Sequence, residues 1–266
     1  MKATLTTLHV FPVKSCAPLS PPEADVEARG LVGDRRWMIV DADARFLSAR
    51  KLPRMTLVHA VPEGAGLRVA APGMPPLVVR AASDGVRREV MVWGSAVSAR
   101  VAGAQADAWI STFLGVPAAF VHMDALAQRA IDPAYANAGD EVSFADGFPV
   151  LLISQAALDG LNERLAKPVP MLRFRPNFVV SGTAAHAEDG WRRVRVGDVE
   201  FDVVKPCTRC VLTTVDFERG EFDAHGEPLR TLLGYRRTAS GVTFGQNLIP
   251  RFPGTVRVGD AVVVLD

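Results

Sequence analysis

Short strand-like runs, separated by turn residues, recur along almost the whole chain and limit the folds that it can adopt. Each run is rich in β-branched or aromatic residues and is bounded by Gly, Pro or Asp-containing turns. The runs occupy residues 4–13, 35–43, 57–63, 67–72, 77–82, 89–103, 148–154, 177–182, 194–204, 210–217 and 254–265. This spacing predicts antiparallel barrels or sandwiches and disfavours alternating βαβ units.

Three segments carry a helical pattern instead. Apolar residues recur every three or four positions in 102–115, which ends on Gly115 as a C-cap. In 154–166, Ser154 is placed to be the N-cap, and Leu158, Leu161 and Leu165 share one face. Residues 227–237 are the third candidate. We therefore expect a mainly β protein with a few helices, of the α+β class.

Residues 123–147 form the most polar and least patterned long segment of the chain. Such a segment is typical of a connection between two barrels, or of a loop that lines a cleft. A chain of 266 residues is long enough for two domains that share an interface. We expect the division to fall between residues 1–122 and 123–266.

Composition excludes several classes of partner. The chain has 30 basic and 29 acidic residues and a net charge of +1, so no nucleic-acid partner is expected. No run approaches the roughly 18 consecutive apolar residues of a membrane span, and the N-terminus lacks a signal-peptide pattern. Three cysteines argue against a disulfide framework and for a reducing cytoplasm.

Two of those cysteines, Cys207 and Cys210, lie in the stretch KPCTRC. A structural zinc site would need a second cysteine pair or spaced histidines. A thioredoxin-like dithiol would open a helix, whereas the following VLTTV predicts a strand. Two buried apolar thiols are a further possibility. The flanking cations Lys205 and Arg209 favour a thiolate, which could ligate a soft metal carried by a cofactor.

Four basic residues lie next to turns, prolines or strand ends, where their side chains could converge on one anion. They are Lys14 in PVKS, Arg35 in GDRRW, Arg175 in FRPN, and Arg209. The proline after Arg175 makes the backbone rigid, which suits bidentate recognition of a phosphate. Taken singly, such a residue is usually a solvated or salt-bridged surface group. The residue pattern leaves both interpretations open.

Seven motifs occur in an order and at separations that resemble one protein family. They are FPVKSC, GDRRWMIVDADARFLSARKLPRM, ISQAALDGLNERL, RFRPNFVVSG, KPCTRCVLTTVD, FGQNL and GTVRVGDAVVVL. Together they resemble the MOSC family with its N-terminal β-barrel extension, in the branch of the mitochondrial amidoxime-reducing component and its bacterial relatives. The resemblance covers essentially the whole chain. It implies an N-terminal MOSC-type β-barrel domain packed on a C-terminal MOSC β-barrel domain.

The resemblance also implies a cofactor, the molybdenum cofactor (Mo-molybdopterin), with Cys210 as the metal ligand and Cys207 packing or shaping the loop. Matching the family's cofactor contacts to this chain gives Lys14, Ser15, Arg35, Gly147, Phe148, Arg175, Asn177, Thr208, Arg209, Cys210 and Asn247. Three of these positions depart from the family. Relatives carry tyrosine in place of Asn247, and often threonine and serine in place of Gly147 and Phe148, whose contacts are expected through the main chain.

The implied activity is that of a molybdenum oxidoreductase. Its substrates would be N-hydroxylated compounds such as amidoximes, hydroxylamines and N-hydroxylated bases, reduced by oxygen-atom transfer to molybdenum. Asp146 is expected on the substrate side, as a catalytic residue that holds the substrate or relays a proton. Alternative functions are a molybdenum-cofactor carrier and a sulfur-transfer module, neither with N–O reductase activity.

The resemblance further implies a separate source of electrons. Some bacterial relatives append a [2Fe–2S] domain, whose cysteines this sequence lacks. We therefore expect a separate electron-transfer protein, such as a ferredoxin, a flavodoxin or a cytochrome b5-like carrier, together with its reductase. The mitochondrial relatives carry a membrane anchor that is not found here, so a cytoplasmic protein without a membrane partner is expected.

Overall fold

The computed structural model describes residues 2–81 and 85–266, and within them the protein is mainly β with three helices. The strands are β1 Thr4–Leu8, β2 Glu23–Glu27, β3 Gly30–Leu31, β4 Trp37–Val40, β5 His59–Glu63, β6 Gly66–Ala70, β7 Leu77–Arg80, β8 Arg87–Val92, β9 Ser95–Val101, β10 Ala119–His122, β11 Val150–Ser154, β12 Phe178–Ser181, β13 Arg193–Val196, β14 Val199–Thr208, β15 Val215–Asp216, β16 Glu221–Phe222, β17 Arg237–Thr238, β18 Gly241–Pro250, β19 Gly254–Arg257 and β20 Val262–Val264. The helices are α1 Ala104–Leu114, α2 Gln155–Asn162 and α3 Leu229–Leu233. The expected fold class is confirmed.

Every strand-like run contains a strand, but the run 210–217 was wrongly expected to be extended throughout. Residues Val211–Thr214 form a 3₁₀ helix, and only the two residues of β15 are extended. Thr213 Oγ1 donates to the Cys210 carbonyl at 2.9 Å, and Thr214 Oγ1 donates to the Val211 carbonyl at 2.8 Å. These local bonds compete with a strand ladder and outweigh the β propensity of the sequence. Residue 82, at the end of another run, lies outside the described residues.

The three predicted helices are present, and two of them have the predicted caps. Gly115 ends α1 in the left-handed conformation, with a φ of 72°. Ser154 caps α2, and its hydroxyl accepts a hydrogen bond from the Ala157 N–H. Helix α2 ends at Asn162, before Leu165, although Leu165 still packs against the core. No helix in residues 2–81 and 85–266 has the length and apolar character needed to cross a bilayer.

The largest sheet is an almost closed barrel of eight strands. Seven follow the order β1-β12-β11-β18-β14-β13-β20, and β17 pairs with β18. The outer strands approach each other through a bridge between Thr4 and Ala261 and a 2.9 Å bond from Val262 N to Ala3 O. The first strand of the chain therefore completes a barrel built mostly from the second half. Likewise, β2 and β3 form a separate sheet with β19.

The first half supplies two further sheets, β4-β10-β9-β8 and β5-β6-β7. Their inner faces share a hydrophobic core with α1, in which Trp37, Ile110 and Phe120 are buried. A second core fills the barrel and includes Phe178 and Phe201, whose rings meet edge to face at 5.3 Å. Each half of the chain thus encloses apolar residues of its own.

Residues 9–17 lie between these two parts and are hydrogen-bonded to both. His9 N donates to Asn177 O at 2.9 Å in the barrel, and Lys14 N donates to Trp37 O at 2.8 Å in the β4 sheet. Arg35 N donates to Phe11 O at 2.6 Å. Because backbone bonds tie this segment to both parts, it is fixed and presents Lys14 and Ser15 at the junction.

Candidate active site

A cleft at this junction is lined by all twelve residues that the sequence nominated. They are Lys14, Ser15, Arg35, Asp146, Gly147, Phe148, Arg175, Asn177, Thr208, Arg209, Cys210 and Asn247. The cleft has an inner part, where the buried cations lie, and an outer part that adds Trp93, Lys205 and Pro206. Asp146 and Cys210 line both parts. The sequence could not establish that these residues converge, and the structure brings them together.

Lys14 is one of the buried cations of the inner part, with 4% of its surface exposed. Its Nζ donates to the Phe144 carbonyl at 2.7 Å and to Asp146 Oδ1 at 2.6 Å. Burial lowers the pKa of Lys14 to about 8, although the attraction of Asp146 opposes that shift. Repulsion from Arg129 and Arg35 adds to the lowering. The ammonium is therefore held in the cleft at some electrostatic cost.

Arg35 and Arg175 lie over the ring of Phe11, with their guanidinium carbons 4.3 Å and 4.1 Å from its centroid. Asp34 neutralises Arg35 through a 2.6 Å ion pair. Arg175 has no ion pair among the described residues. One of its terminal nitrogens donates to the Cys16 carbonyl at 2.8 Å, and the other, Nη2, is buried without a partner.

Arg175 is consequently a buried cation that lacks a counter-charge. Burial, followed by repulsion from Arg35, lowers its pKa to about 9. Both arginines also adopt a positive φ, 47° at Arg35 and 56° at Arg175, in which few non-glycine residues are found. Such strain concentrates at functional sites. The local arrangement is suited to an anion that would complete the charge pairing.

Asn177 has a different position in the network, because its side chain is fully used inside the protein. Its Nδ2 donates to His9 O and to Asp34 Oδ1, both at 3.0 Å. Its Oδ1 accepts from Arg35 and from the Leu151 N–H, both at 3.1 Å. With 1% of its surface exposed, Asn177 holds Arg35 and β11 in place. This geometry favours a positioning role over direct contact with a ligand.

Asp146 is the last but one residue of the polar segment 123–147, which has no helix or strand beyond one isolated bridge. Its Oδ1 accepts from Lys14, and its Oδ2 accepts from Arg50 at 2.7 Å. Desolvation in the cleft alone would raise the pKa of Asp146, but the charges of Lys14, Arg50 and Arg35 outweigh it. The net pKa lies well below the usual range, so the group is a carboxylate at neutral pH.

Cys207 and Cys210 both line the cleft, with free and partly exposed thiols. Cys207 is the last but one residue of β14, and Arg209 Nη1 lies 2.7 Å from its sulfur. Cys210 precedes the 3₁₀ helix, and no hydrogen bond is made to its sulfur within the described part of the chain. Residues 2–81 and 85–266 contain no group of three or more His, Cys, Asp or Glu side chains arranged to bind a metal.

The remaining nominated residues form the walls. A side chain at Gly147 would meet nothing within 4 Å, so the space above that backbone is open to a ligand. Phe148 packs edge-on against Tyr135 at 5.9 Å. Asn247 lines the cleft, its Nδ2 donates to the Lys205 carbonyl at 3.2 Å, and Thr208 is exposed.

Three residues of the site were missed from the sequence. Arg50 and Trp93 line the cleft, and the buried Arg129 donates to the carbonyls of Ser143, Ala145 and Asp146 at 2.5–3.0 Å. Arg50 lies within the family-like motif of residues 33–55, which was a usable signal. Nothing local marks Trp93 or Arg129, because their partners are at least 14 residues away in the chain.

Comparison with known proteins finds two family models and several relatives that match this chain. Residues 2–117 match the family model "MOSC N-terminal beta barrel domain" and residues 139–263 match "MOSC domain". The chain is 34% identical to mitochondrial amidoxime-reducing component 1 of Mus musculus, over 98% of this chain and 82% of that protein. It is 36% identical to mitochondrial amidoxime reducing component 2 of Rattus norvegicus, over 97% and 82%. The crystal structure of the YUAD protein from Bacillus subtilis aligns over 98% of this chain and 94% of that one, with 13% identity and a TM-score of 0.47.

Proposed function

This chain belongs to the MOSC protein family, with the mitochondrial amidoxime-reducing components among its relatives, and from that premise we propose that it is a molybdenum-cofactor-dependent oxidoreductase. Its proposed reaction is the reduction of N-hydroxylated compounds such as amidoximes, hydroxylamines and N-hydroxylated bases. The observation that carries the proposal is the charge of the cleft. Five basic side chains, Lys14, Arg35, Arg50, Arg175 and Arg209, line its inner part against a single lining carboxylate, Asp146.

The residues present fit the phosphate-bearing pterin of the molybdenum cofactor. Arg175 has a buried nitrogen without a partner, and Arg209 Nε is in the same state. Uncompensated buried charge is costly, and an anionic ligand would offset that cost through charge-assisted hydrogen bonds. Lys14, Arg35, Arg175 and Arg209 are therefore the proposed phosphate and pterin contacts. Ser15, Gly147, Phe148, Thr208 and Asn247 would complete the walls, and Asn177 would support them from behind.

Cys210 is the proposed metal ligand. Its thiol is partly exposed in the cleft and unengaged, whereas the Cys207 sulfur lies against Arg209. A single protein ligand agrees with the absence of a multi-residue metal cluster among residues 2–81 and 85–266. When bound, the cofactor would supply the two-electron redox chemistry that N–O bond reduction requires.

Asp146 is the proposed substrate-holding residue. Since its pKa lies well below neutrality, it accepts hydrogen bonds and does not donate a proton at physiological pH. Of the two expected roles, this ionised state favours holding the substrate over relaying a proton. Conversion of an N–OH group to N–H and water consumes two electrons and two protons, which must enter the cleft from outside.

The proposed electron source is a separate carrier, such as a ferredoxin, a flavodoxin or a cytochrome b5-like protein, with its own reductase. The outer part of the cleft opens beside Cys210, which would allow such a carrier to approach the metal. The proposed location is the cytoplasm, because all three cysteines are free thiols, as in a reducing compartment.

The test is a preparation from a host that makes the cofactor. Molybdenum and pterin are measured, and benzamidoxime reduction is assayed with a chemical reductant. We expect stoichiometric molybdenum and turnover. Cys210→Ser should lose at least 99% of the activity, and Cys207→Ser, the matched control, should keep most of it.

Other results point to the alternatives. Bound molybdenum without turnover on any N-hydroxylated substrate would indicate a cofactor carrier. A persulfide on Cys210 without molybdenum would indicate sulfur transfer. Equal loss of activity in both cysteine variants would show that the metal ligand is assigned incorrectly.

A further inference from the structure

Trp93 lies at the tip of the β8–β9 hairpin in a backbone conformation that a tryptophan rarely adopts. Val92 pairs with Ser95, so Trp93 and Gly94 form a two-residue turn. Trp93 takes a φ of 53°, while Gly94, which would tolerate that region at no cost, does not. A positive φ is an outlier for a bulky residue and persists only where surrounding contacts impose it.

Those contacts are at the outer part of the cleft. The guanidinium carbon of Arg50 lies 4.3 Å from the centroid of the Trp93 ring, and the ring of Phe46 lies 4.9 Å from it. The indole is 43% exposed and lines the cleft next to Asp146. The strained turn thus places an aromatic ring beside the guanidinium that binds Asp146.

Three side chains from the first half of the molecule donate to the Asp146 carboxylate. Lys14 Nζ and Trp93 Nε1 lie 2.6 Å and 3.4 Å from Oδ1, and Arg50 Nη2 lies 2.7 Å from Oδ2. A carboxylate has about four acceptor sites, so these donors leave one. More than half of the side chain, 56%, remains exposed, so this site is open to a ligand.

We propose that Trp93 and Arg50 are positioning residues that set the substrate specificity of the cleft. They hold Asp146 so that its remaining acceptor site takes the hydroxyl of an N–OH group. The inference rests on the proposed function and deepens it. The favoured substrates are those with a free N–OH donor, and O-alkylated analogues, which lack the donor, are disfavoured.

The test compares benzamidoxime with its O-methyl ether. Isothermal titration calorimetry of the holoenzyme, run without reductant, gives the Kd of each compound independently of turnover and of the tryptophan content of the variant. We expect the wild-type protein to prefer benzamidoxime about tenfold, because a hydrogen bond to a charged acceptor is lost in the ether. Arg50→Met and Trp93→Gly should bind the two compounds equally. For benzamidoxime reduction, both variants should show a KM raised about tenfold, with kcat changed less than twofold.

Conservative and remote variants serve as controls. Trp93→Phe keeps a ring beside Arg50 but loses the Nε1 donor to Asp146, so its preference should lie between those of wild type and Trp93→Gly. Arg68→Met, which breaks an exposed ion pair with Glu63, and Trp191→Phe, which packs on the barrel core, should match wild type. Trp93→Gly should also unfold at a higher temperature than Trp93→Ala, because only glycine relieves the positive φ.

The experiment distinguishes failure of the proposed reaction from failure of the specificity role of Trp93 and Arg50. If the wild-type protein reduces benzamidoxime and Arg50→Met keeps the tenfold preference, the specificity role is overturned while the proposed function stands. If the wild-type protein prefers the free N–OH, loses that preference in both variants, but never reduces benzamidoxime, the proposed reaction is overturned and the binding role of these residues stands.

Discussion

At the scale of single residues, the cleft is organised by cations whose charge the protein does not fully neutralise. Asp34 pairs with Arg35 and Asp146 pairs with Lys14, but no carboxylate of residues 2–81 and 85–266 forms an ion pair with Arg175. His9 lies next to this cluster, with 6% of its surface exposed and its Nδ1 2.8 Å from Ser20 Oγ. The surplus charge therefore acts on a neighbouring titratable group that lies outside the lining of the cleft.

We predict that His9 makes the protein without cofactor acid-sensitive. Burial, then repulsion from Arg175 and Arg35, lowers the pKa of His9 from 6.5 to about 4. Between these values the unfolded chain binds a proton that the folded protein does not, so stability falls as pH drops from 6.5 to 4. The loss is about 3 kcal/mol. Urea unfolding across this range measures it.

Substitution isolates the contribution of His9. His9→Gln should flatten the pH dependence, while the exposed His225→Gln should leave it unchanged. Burial lowers the pKa of His122 to about 4 as well, so part of the slope should remain in His9→Gln. Loading the cofactor should also reduce the slope, because its phosphate would offset the two arginines. An identical slope in wild type and His9→Gln would contradict the prediction.

At the scale of elements, most strands and all three helices could be predicted from the sequence, but the run 210–217 and strand β18 could not. Short runs with β-branched residues correctly indicated most strands, and caps such as Gly115 and Ser154 located the helices. The run 210–217 failed because two threonine hydroxyls bond to carbonyls three residues earlier, which a propensity argument does not weigh. Strand β18 was not among the predicted runs, since Gly241–Pro250 is buried along most of its length and lacks alternation.

The residues of the site could also be predicted only in part from the sequence. Motif matching found the nominated lining residues, but it could not find Trp93 or Arg129, whose roles come from contacts with distant segments. It also could not distinguish residues that face the cleft with free polar atoms from Asn177, whose amide is used internally.

We predict that the 3₁₀ helix after Cys210 depends on Thr213. Thr213→Val removes the bond to the Cys210 carbonyl while keeping the shape of the side chain, and Val favours an extended backbone. We expect a loss of about 1 kcal/mol in unfolding free energy and a lower molybdenum content in the purified protein. Thr213→Ser, which retains the hydroxyl, is the matched control and should keep both. Full metal content in Thr213→Val would show that the turn does not position Cys210.

At the scale of the whole molecule, the two halves of the chain are interleaved. Strand β1 pairs with β12, and β2 pairs with β19, so the first 31 residues contribute to the sheets of the second half. Both halves also line the cleft, since Lys14, Arg35, Arg50 and Trp93 come from the first half, and Asp146 and Cys210 come from the second. The division into domains at residues 1–122 and 123–266 stays a prediction. In space, strands β1 and β2 of the first segment pair with strands of the second.

Interleaving predicts that the second half does not fold alone. A fragment of residues 123–266 lacks β1, which leaves one edge of β12 without its backbone partner. It also lacks Leu5, so the core residues that pack on Leu5 become exposed. We expect no cooperative thermal unfolding and no bound molybdenum for this fragment. Co-expression with residues 1–122 should restore both. A fragment that melts cooperatively by itself, followed by circular dichroism, would contradict the expectation.

The bridge between β1 and β20 also bears on the order of events during synthesis. Strand β1 is synthesised long before its neighbour at residues 261–264, so the two meet only after the whole intervening chain has left the ribosome. The barrel therefore stays open at this seam on any nascent chain that lacks β20. An incomplete chain therefore leaves apolar barrel residues such as Phe178 and Phe201 exposed until β20 has emerged.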